Sequence, residues 1–195
     1  MRLRSPSRRG VQAGALALLV ILPAARAQAA EGDPTLVEIT QAVAQAVDHY
    51  TAAIACTHSS VRPKDIAALV PYGHGDQGEP DGVWAVAWMG EIACLGGSSG
   101  SEPQIAVVSV HHGNYFLVDP GLSSPQVRFE APVKYVDRLV GNTGDTLVLE
   151  GMAYADGEAA DAMCCPSVRK RFTMKQDDKG NWKSVRERVV PNKKK

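Results

Sequence analysis

VWAVAWMGEIACL, Val83 to Leu95, is the stretch from which the fold is read. β-Branched, aromatic and alanine residues dominate Val83 to Met89, and Trp84, Val86 and Trp88 fall at every second position. A pleated strand carries all three on one face. Gly90-Glu91 then reads as a turn and Ile92 to Leu95 as the next short strand.

Toward the C-terminus the period of two returns in Gln104 to Val110, Tyr115 to Val118, Val133 to Val140, Thr146 to Tyr154, Val168 to Lys175 and Trp182 to Val189. Gly, Asn, Asp and Pro separate these runs, most clearly at His112-Gly113-Asn114, Asn142-Thr143-Gly144 and Asp177 to Asn181. Links this short join antiparallel strands, because a parallel pair needs a crossover of about a dozen residues or more.

Toward the N-terminus, Tyr72 to Asp81 is rich in Gly, Asp and Pro and reads as an exposed loop. Pro63 to Leu69 reads as a short helical turn ended by Pro71. Further upstream, Leu36, Ile39, Val43, Val47, Tyr50 and Ile54 recur at spacings of three and four. This predicts an amphipathic helix with Asp33 as N-cap and Pro34 in its first position, ending near Cys56. The expected fold class is α+β, one long N-terminal helix packed on an antiparallel meander sheet and braced by disulfides.

Residues 1–29 have the order of a secretory signal peptide. Arg2, Arg4, Arg8 and Arg9 precede an apolar run from Ala13 to Leu22, Pro23 breaks it, and Ala25-Arg26-Ala27 and Ala27-Gln28-Ala29 offer processing sites. The mature chain is then expected to begin at Gln28 or Ala30. The apolar run is well short of the ~20 residues a helix needs to cross a bilayer, so no stable membrane insertion is expected. Ser7-Arg8-Arg9 starts a twin-arginine signal that Gly10-Val11-Gln12 completes poorly, which makes general secretion the expected route. The first cysteine is Cys56, far from any processing site, so no lipid anchor is expected. The expected location is periplasmic or secreted, with residues 30–190 as one domain and residues 191–195 as a basic tail.

The whole chain has 21 basic and 21 acidic residues. The leader removes five arginines and no acid, leaving 16 basic residues against 21 acidic and a mature net charge of −5. An acidic exported domain is a poor match for nucleic acid, which needs a basic face.

Cys56, Cys94, Cys164 and Cys165 are an even set in an exported chain, so disulfides are expected. Adjacent strand residues point to opposite faces. Cys164 and Cys165 are therefore expected to form separate bridges to Cys56 and Cys94; the rival pairing joins Cys56 to Cys94 and Cys164 to Cys165. Redox exchange calls for Cys-x-x-Cys and zinc for paired knuckles or spaced histidines, and neither spacing occurs. His111-His112 is adjacent, His49 stands alone on the helix, and His58 and His74 fall in loops. Neither a metal nor any other cofactor is expected.

Gly96-Gly97-Ser98-Ser99-Gly100 matches G-x-S-x-G in form. The nucleophile elbow that this motif denotes lifts its serine between a strand and a helix. Here Ser101-Glu102-Pro103 leads into another strand, so a hairpin loop is expected in place of a catalytic serine.

Asp161-Ala162-Met163-Cys164-Cys165-Pro166-Ser167 leads into the strand Val168 to Lys175, a Gly-containing turn and a last strand. Over about 30 residues, Tyr154 to Val185, this resembles the LppP/LprE-type bacterial envelope lipoproteins and related exported proteins. The resemblance implies an exported envelope protein without established enzymatic activity. The acylated cysteine of that pattern is missing, so membrane attachment is not carried over.

Trp84 and Trp88 are expected to pack on the helix, with an aromatic binding surface as the functional alternative. Trp182 lies beside a turn and is expected to be the exposed tryptophan. The expected function is a non-catalytic binding module, of inhibitor or immunity type, for an envelope protein or cell-wall component. The enzymatic alternative is a small serine hydrolase using Ser98 with His111 or His112 and an acid such as Asp119.

Overall fold

The computed structural model describes residues 32–94, 100–155, 161 and 165–191. Thr35, not Asp33, caps the helix. Its hydroxyl accepts the Glu38 N–H at 3.3 Å while the Glu38 carboxylate accepts the Thr35 N–H at 2.8 Å. This reciprocal Thr-x-x-Glu box satisfies two donors, which an Asp-Pro start does not. Helix α1 accordingly spans Leu36–Ile54, 19 residues, and buries Ile39, Val43, Val47 and Thr51 along one stripe.

The strands are β1 (Thr57–His58), β2 (Ile66–His74), β3 (Pro80–Glu91), β4 (Glu102–His111), β5 (Tyr115–Val118), β6 (Phe129–Glu130), β7 (Tyr135–Thr143), β8 (Thr146–Ala153), β9 (Val168–Gln176) and β10 (Trp182–Val189). They form two five-stranded sheets in place of the expected single meander. In the inner sheet, β1 and β2 share one edge of β3, and β4 and β5 follow on the other side. The outer sheet has the order β6-β10-β9-β8-β7, antiparallel except that β6 runs parallel to β10.

Several local expectations change. Only Pro63–Asp65 is helical, as a single 3-10 turn, and the segment after it is β2. Pro71 is tolerated because β2 is an edge strand whose register shifts between Val70 and Gly73. The expected loop from Tyr72 to Asp81 contracts to a turn closed by the Gly75 N–H on the Glu79 carbonyl, at 2.8 Å. Gly90 lies within β3, paired with His58 and Glu102. The Trp88 ring and the Thr57 carbonyl occupy the space a side chain there would need. Gly90 therefore serves close approach, not chain reversal.

The helix stripe packs on Trp84, Val86, Trp88, Ala106, Val108 and Val110. The opposite face of the inner sheet presents Ala67, Ala85, Ala87 and Ile105 to Leu147, Leu149, Phe172, Met174 and Trp182 of the outer sheet. The inner sheet is thus covered on both faces, which accounts for the continuous apolar run from Val83 to Met89. Alanines on one side leave room for the large side chains of the outer sheet, and interiors are packed to that tolerance.

Where β5 ends, two serines continue the work of the β4 edge. Ser123 Oγ accepts the Val107 N–H at 2.9 Å and Ser124 Oγ accepts the Ile105 N–H at 3.2 Å, both fully buried. At the far edge of the outer sheet, β6 pairs only with Trp182 and Lys183, so Ser184–Val189 of β10 has no strand neighbour on that side among the described residues.

Candidate functional site

The outer sheet turns one face toward the inner sheet and the other away from it. On β9, Phe172 and Met174 point inward, so alternation sends Arg169, Arg171 and Thr173 outward. On β8, Leu147 and Leu149 point inward, and Val148 and Glu150 outward. The last strand begins in step, Trp182 opposite Gln176 and Ser184 opposite Met174. A bulge at Val185 then shifts the register by one, pairing Arg186 with Thr173 and Arg188 with Arg171. Without that extra residue Arg186 would oppose Phe172 and lie on the inward side. The bulge turns both arginines onto the outer face.

A row of side chains therefore crosses four strands in the order Arg138, Glu150, Arg171, Arg188. Glu150 is 3% exposed. Its Oε2 accepts Arg138 Nε at 3.1 Å and Nη2 at 2.9 Å, and its Oε1 accepts Arg171 Nε at 3.0 Å together with Nη2 of the same residue. Arg169 Nε stands 3.7 Å from Oε2, and Arg169 Nη2 donates to Asp137 Oδ2 at 2.7 Å. Burial works against ionisation of Glu150, but the hydrogen bonds and charges of Arg171 and Arg138 outweigh it and hold the carboxyl below its ordinary value.

Five arginines, at 138, 169, 171, 186 and 188, thus lie on this face, and three of them, Arg138, Arg169 and Arg171, pair with Glu150 or Asp137. Among the described residues, Arg186 and Arg188 make no ion pair and no side-chain hydrogen bond. Two shallow concavities open beside the row. One, of about 430 Å³, runs along Glu150, Arg169 and Arg188 to Pro191; the other, of about 240 Å³, is lined by Val148, Arg171, Thr173, Arg186 and Arg188. A larger cavity, about 730 Å³, is lined in part by Glu91, Glu102 and Glu130.

The residues singled out in the sequence lie elsewhere. Cys56 is bonded to Cys94, with Cα atoms 5.5 Å apart, so the preferred bridges from these two to Cys164 and Cys165 do not form. The reason is local: the chain leaving α1 returns along β3, where the Cys56 N–H donates to the Glu91 carbonyl at 2.9 Å. Cys165 is also disulfide-bonded, and Cys164 lies outside the described residues. Trp84 and Trp88 are 3% and 2% exposed beneath the helix, and Trp182, expected at the surface, is 1% exposed between the sheets. None of the three offers a binding surface. Trp182 is covered because β6 and the chain before it wrap its strand, with the Trp182 N–H on the Arg128 carbonyl at 2.8 Å.

Ser98 lies outside the described residues. Asp119, its suggested acid, caps the turn Pro120–Leu122 by accepting the Gly121 and Leu122 N–H groups at 2.8 and 3.3 Å. Among the described residues, no three His, Cys, Asp or Glu side chains gather to hold a metal ion. Asp161 accepts the Ala155 N–H at 2.8 Å and the Ser167 N–H at 2.7 Å, tying the chain just after β8 to the chain just before β9. These bonds hold its carboxyl below the ordinary value. The motif behind the family resemblance therefore has a structural use.

The sequence shows Arg169-Lys170-Arg171, Arg186 and Arg188 as a concentration of positive charge near the C-terminus, but not that they share one face. The period of two within β9 was the available signal. The fold and this face define a three-layer helix-sheet-sheet domain with a basic outer surface. No family model, curated protein or solved structure matches the chain.

Proposed function

We propose that this chain is an exported, non-catalytic binding module that engages an anionic envelope component, either a cell-wall polymer or an acidic protein, through the outer face of the outer sheet. The observation that carries the reading is the five-arginine surface on which, among the described residues, only Glu150 and Asp137 pair with the arginines. On a mature chain of net charge −5, such a surface is a local reversal of sign. Arginine forks suit carboxylate and phosphate groups, and guanidinium is more weakly hydrated than ammonium.

Export is part of the proposal. The order of charged, apolar and small residues in 1–29 supports it, and the Cys56–Cys94 disulfide is compatible with an oxidising compartment. Among the described residues no helix is long and apolar enough to cross a membrane. An inhibitor or immunity role fits the same face where the partner is an acidic protein.

Two measurements test it. Mass spectrometry of the protein from the extracytoplasmic fraction should find an N-terminus at Gln28 or Ala30; an intact leader there would count against export. Mature protein should co-sediment with purified cell-wall material at low ionic strength and be released by salt, as charge-driven binding is screened. Neither sedimentation with wall material nor binding to acidic proteins of the envelope would overturn the reading.

A further inference from the structure

We infer that the concavity between Arg171, Thr173, Arg186 and Arg188 is a site for a phosphate group. The inference rests on the binding reading above and names the chemistry of its ligand. The two concavities on the arginine face differ in one decisive respect. The one beside Glu150 already holds a carboxylate, bonded to Arg138 and Arg171. The one beside Thr173 has no acidic residue in its lining, while three guanidinium groups border it.

Its geometry is built by pairing, not by chance exposure. Thr173 and Arg186 are directly opposed across β9 and β10, as are Arg171 and Arg188 in the next outward row. Directly opposed side chains stand about 5 Å apart at Cβ and share a face. The bulge at Val185 is what brings Arg186 and Arg188 to that face, and bulges recur where a side chain is re-aimed at a functional surface. Val148, opposite Thr173, borders the concavity from β8.

The donor set selects the ligand. A carboxylate is planar and is satisfied by one or two forks, as Glu150 is. The unengaged forks of Arg186 and Arg188, the Nη1 of Arg171, whose Nε and Nη2 are held by Glu150, and the Thr173 hydroxyl supply donors from several directions, which matches the tetrahedral oxygens and higher charge of a phosphate. At about 240 Å³ the space admits the group itself with little of what bears it. A phosphodiester of a wall polymer and a phospholipid headgroup share that chemistry.

The test uses the intact mature protein at low ionic strength. Titration with inorganic phosphate, followed by amide and guanidinium NMR shifts, should perturb Arg171, Thr173, Arg186 and Arg188. Arg186→Ala and Arg188→Ala should each weaken binding about tenfold or more, as expected for one charge-assisted hydrogen bond. Lys179→Ala, which removes the same charge at the β9–β10 turn, should leave it within about twofold. Both arginines are exposed, so unchanged thermal melts will show that the variants fold. A phosphodiester polymer and vesicles of anionic phospholipid then separate the two sources, and tighter binding to either supports the site.

Equal losses for Lys179→Ala and Arg186→Ala, or no phosphate binding, would overturn it. If phosphate fails but wall sedimentation persists and is insensitive to Arg186→Ala, the site falls while the binding reading stands. If both fail, both fall.

Discussion

Glu150 is a carboxylate placed where water barely reaches it, with guanidinium groups in water's stead. Removing it strands like charges against one another. Glu150→Ala should destabilise the fold by about 3 kcal/mol, the lower end for breaking a buried pair, because its arginine partners keep part of their hydration. Urea denaturation measures this, and a loss near zero would mean that the arginines disperse freely. The same residue sets a pH dependence. Its carboxyl lies below the ordinary value, and Asp177, held by Lys183 and by backbone N–H groups of the β9–β10 turn, lies at about 2. The stability both contribute is complete above about pH 4 to 5, and is lost as pH falls through the folded values. Melting temperature should decline from pH 5 toward 2, less steeply in Glu150→Gln. Equal slopes in the two proteins would remove Glu150 from the account.

Among the elements, those with tight turns were legible in the sequence: β5 and β10 have the expected bounds, and β8 and β9 differ by one residue. β1 and β6, two residues each, carry no period and were invisible. Pro63 and Pro71 make the β2 segment read as a helical turn; Pro63 belongs to the 3-10 turn before the strand, and an edge position admits Pro71 within it. Alternation places Trp84, Val86 and Trp88 together, but a position beside a turn does not make Trp182 exposed, because β6 and the chain before it cover its strand. The arginine face was hidden for a related reason: a one-residue bulge at Val185 reverses parity, and nothing local marks it. The helix layer is the element most open to test. Trp88 is sandwiched between α1 and the space left by Gly90. Trp88→Ala should cost about 3 to 5 kcal/mol, as for large aromatic truncations in a core. A shift in denaturation midpoint worth under 1 kcal/mol would show that the layer is loosely packed.

The molecule as a whole is three layers tied at one corner. The Cys56–Cys94 bond, across 38 residues, joins the end of α1 to the chain leaving β3 and so holds the helix layer against the inner sheet. In the chain-entropy account a loop of this length is worth about 4 kcal/mol. The double variant Cys56→Ser, Cys94→Ser should lower the unfolding free energy by an amount of that order, read from chemical denaturation; an unchanged value would mean that the layers hold without the tie. At the β10 edge the design is different. Among the described residues, Ser184–Val189, six of the eight residues of β10, has no strand beside it on that edge, and open edges recruit copies of themselves. Here that edge alternates Arg186, Glu187 and Arg188, and an approaching copy brings the same guanidinium groups with it. Like charges set opposite each other repel. The face proposed to attract an anionic ligand thereby also sets like charge against any second copy that approaches this edge.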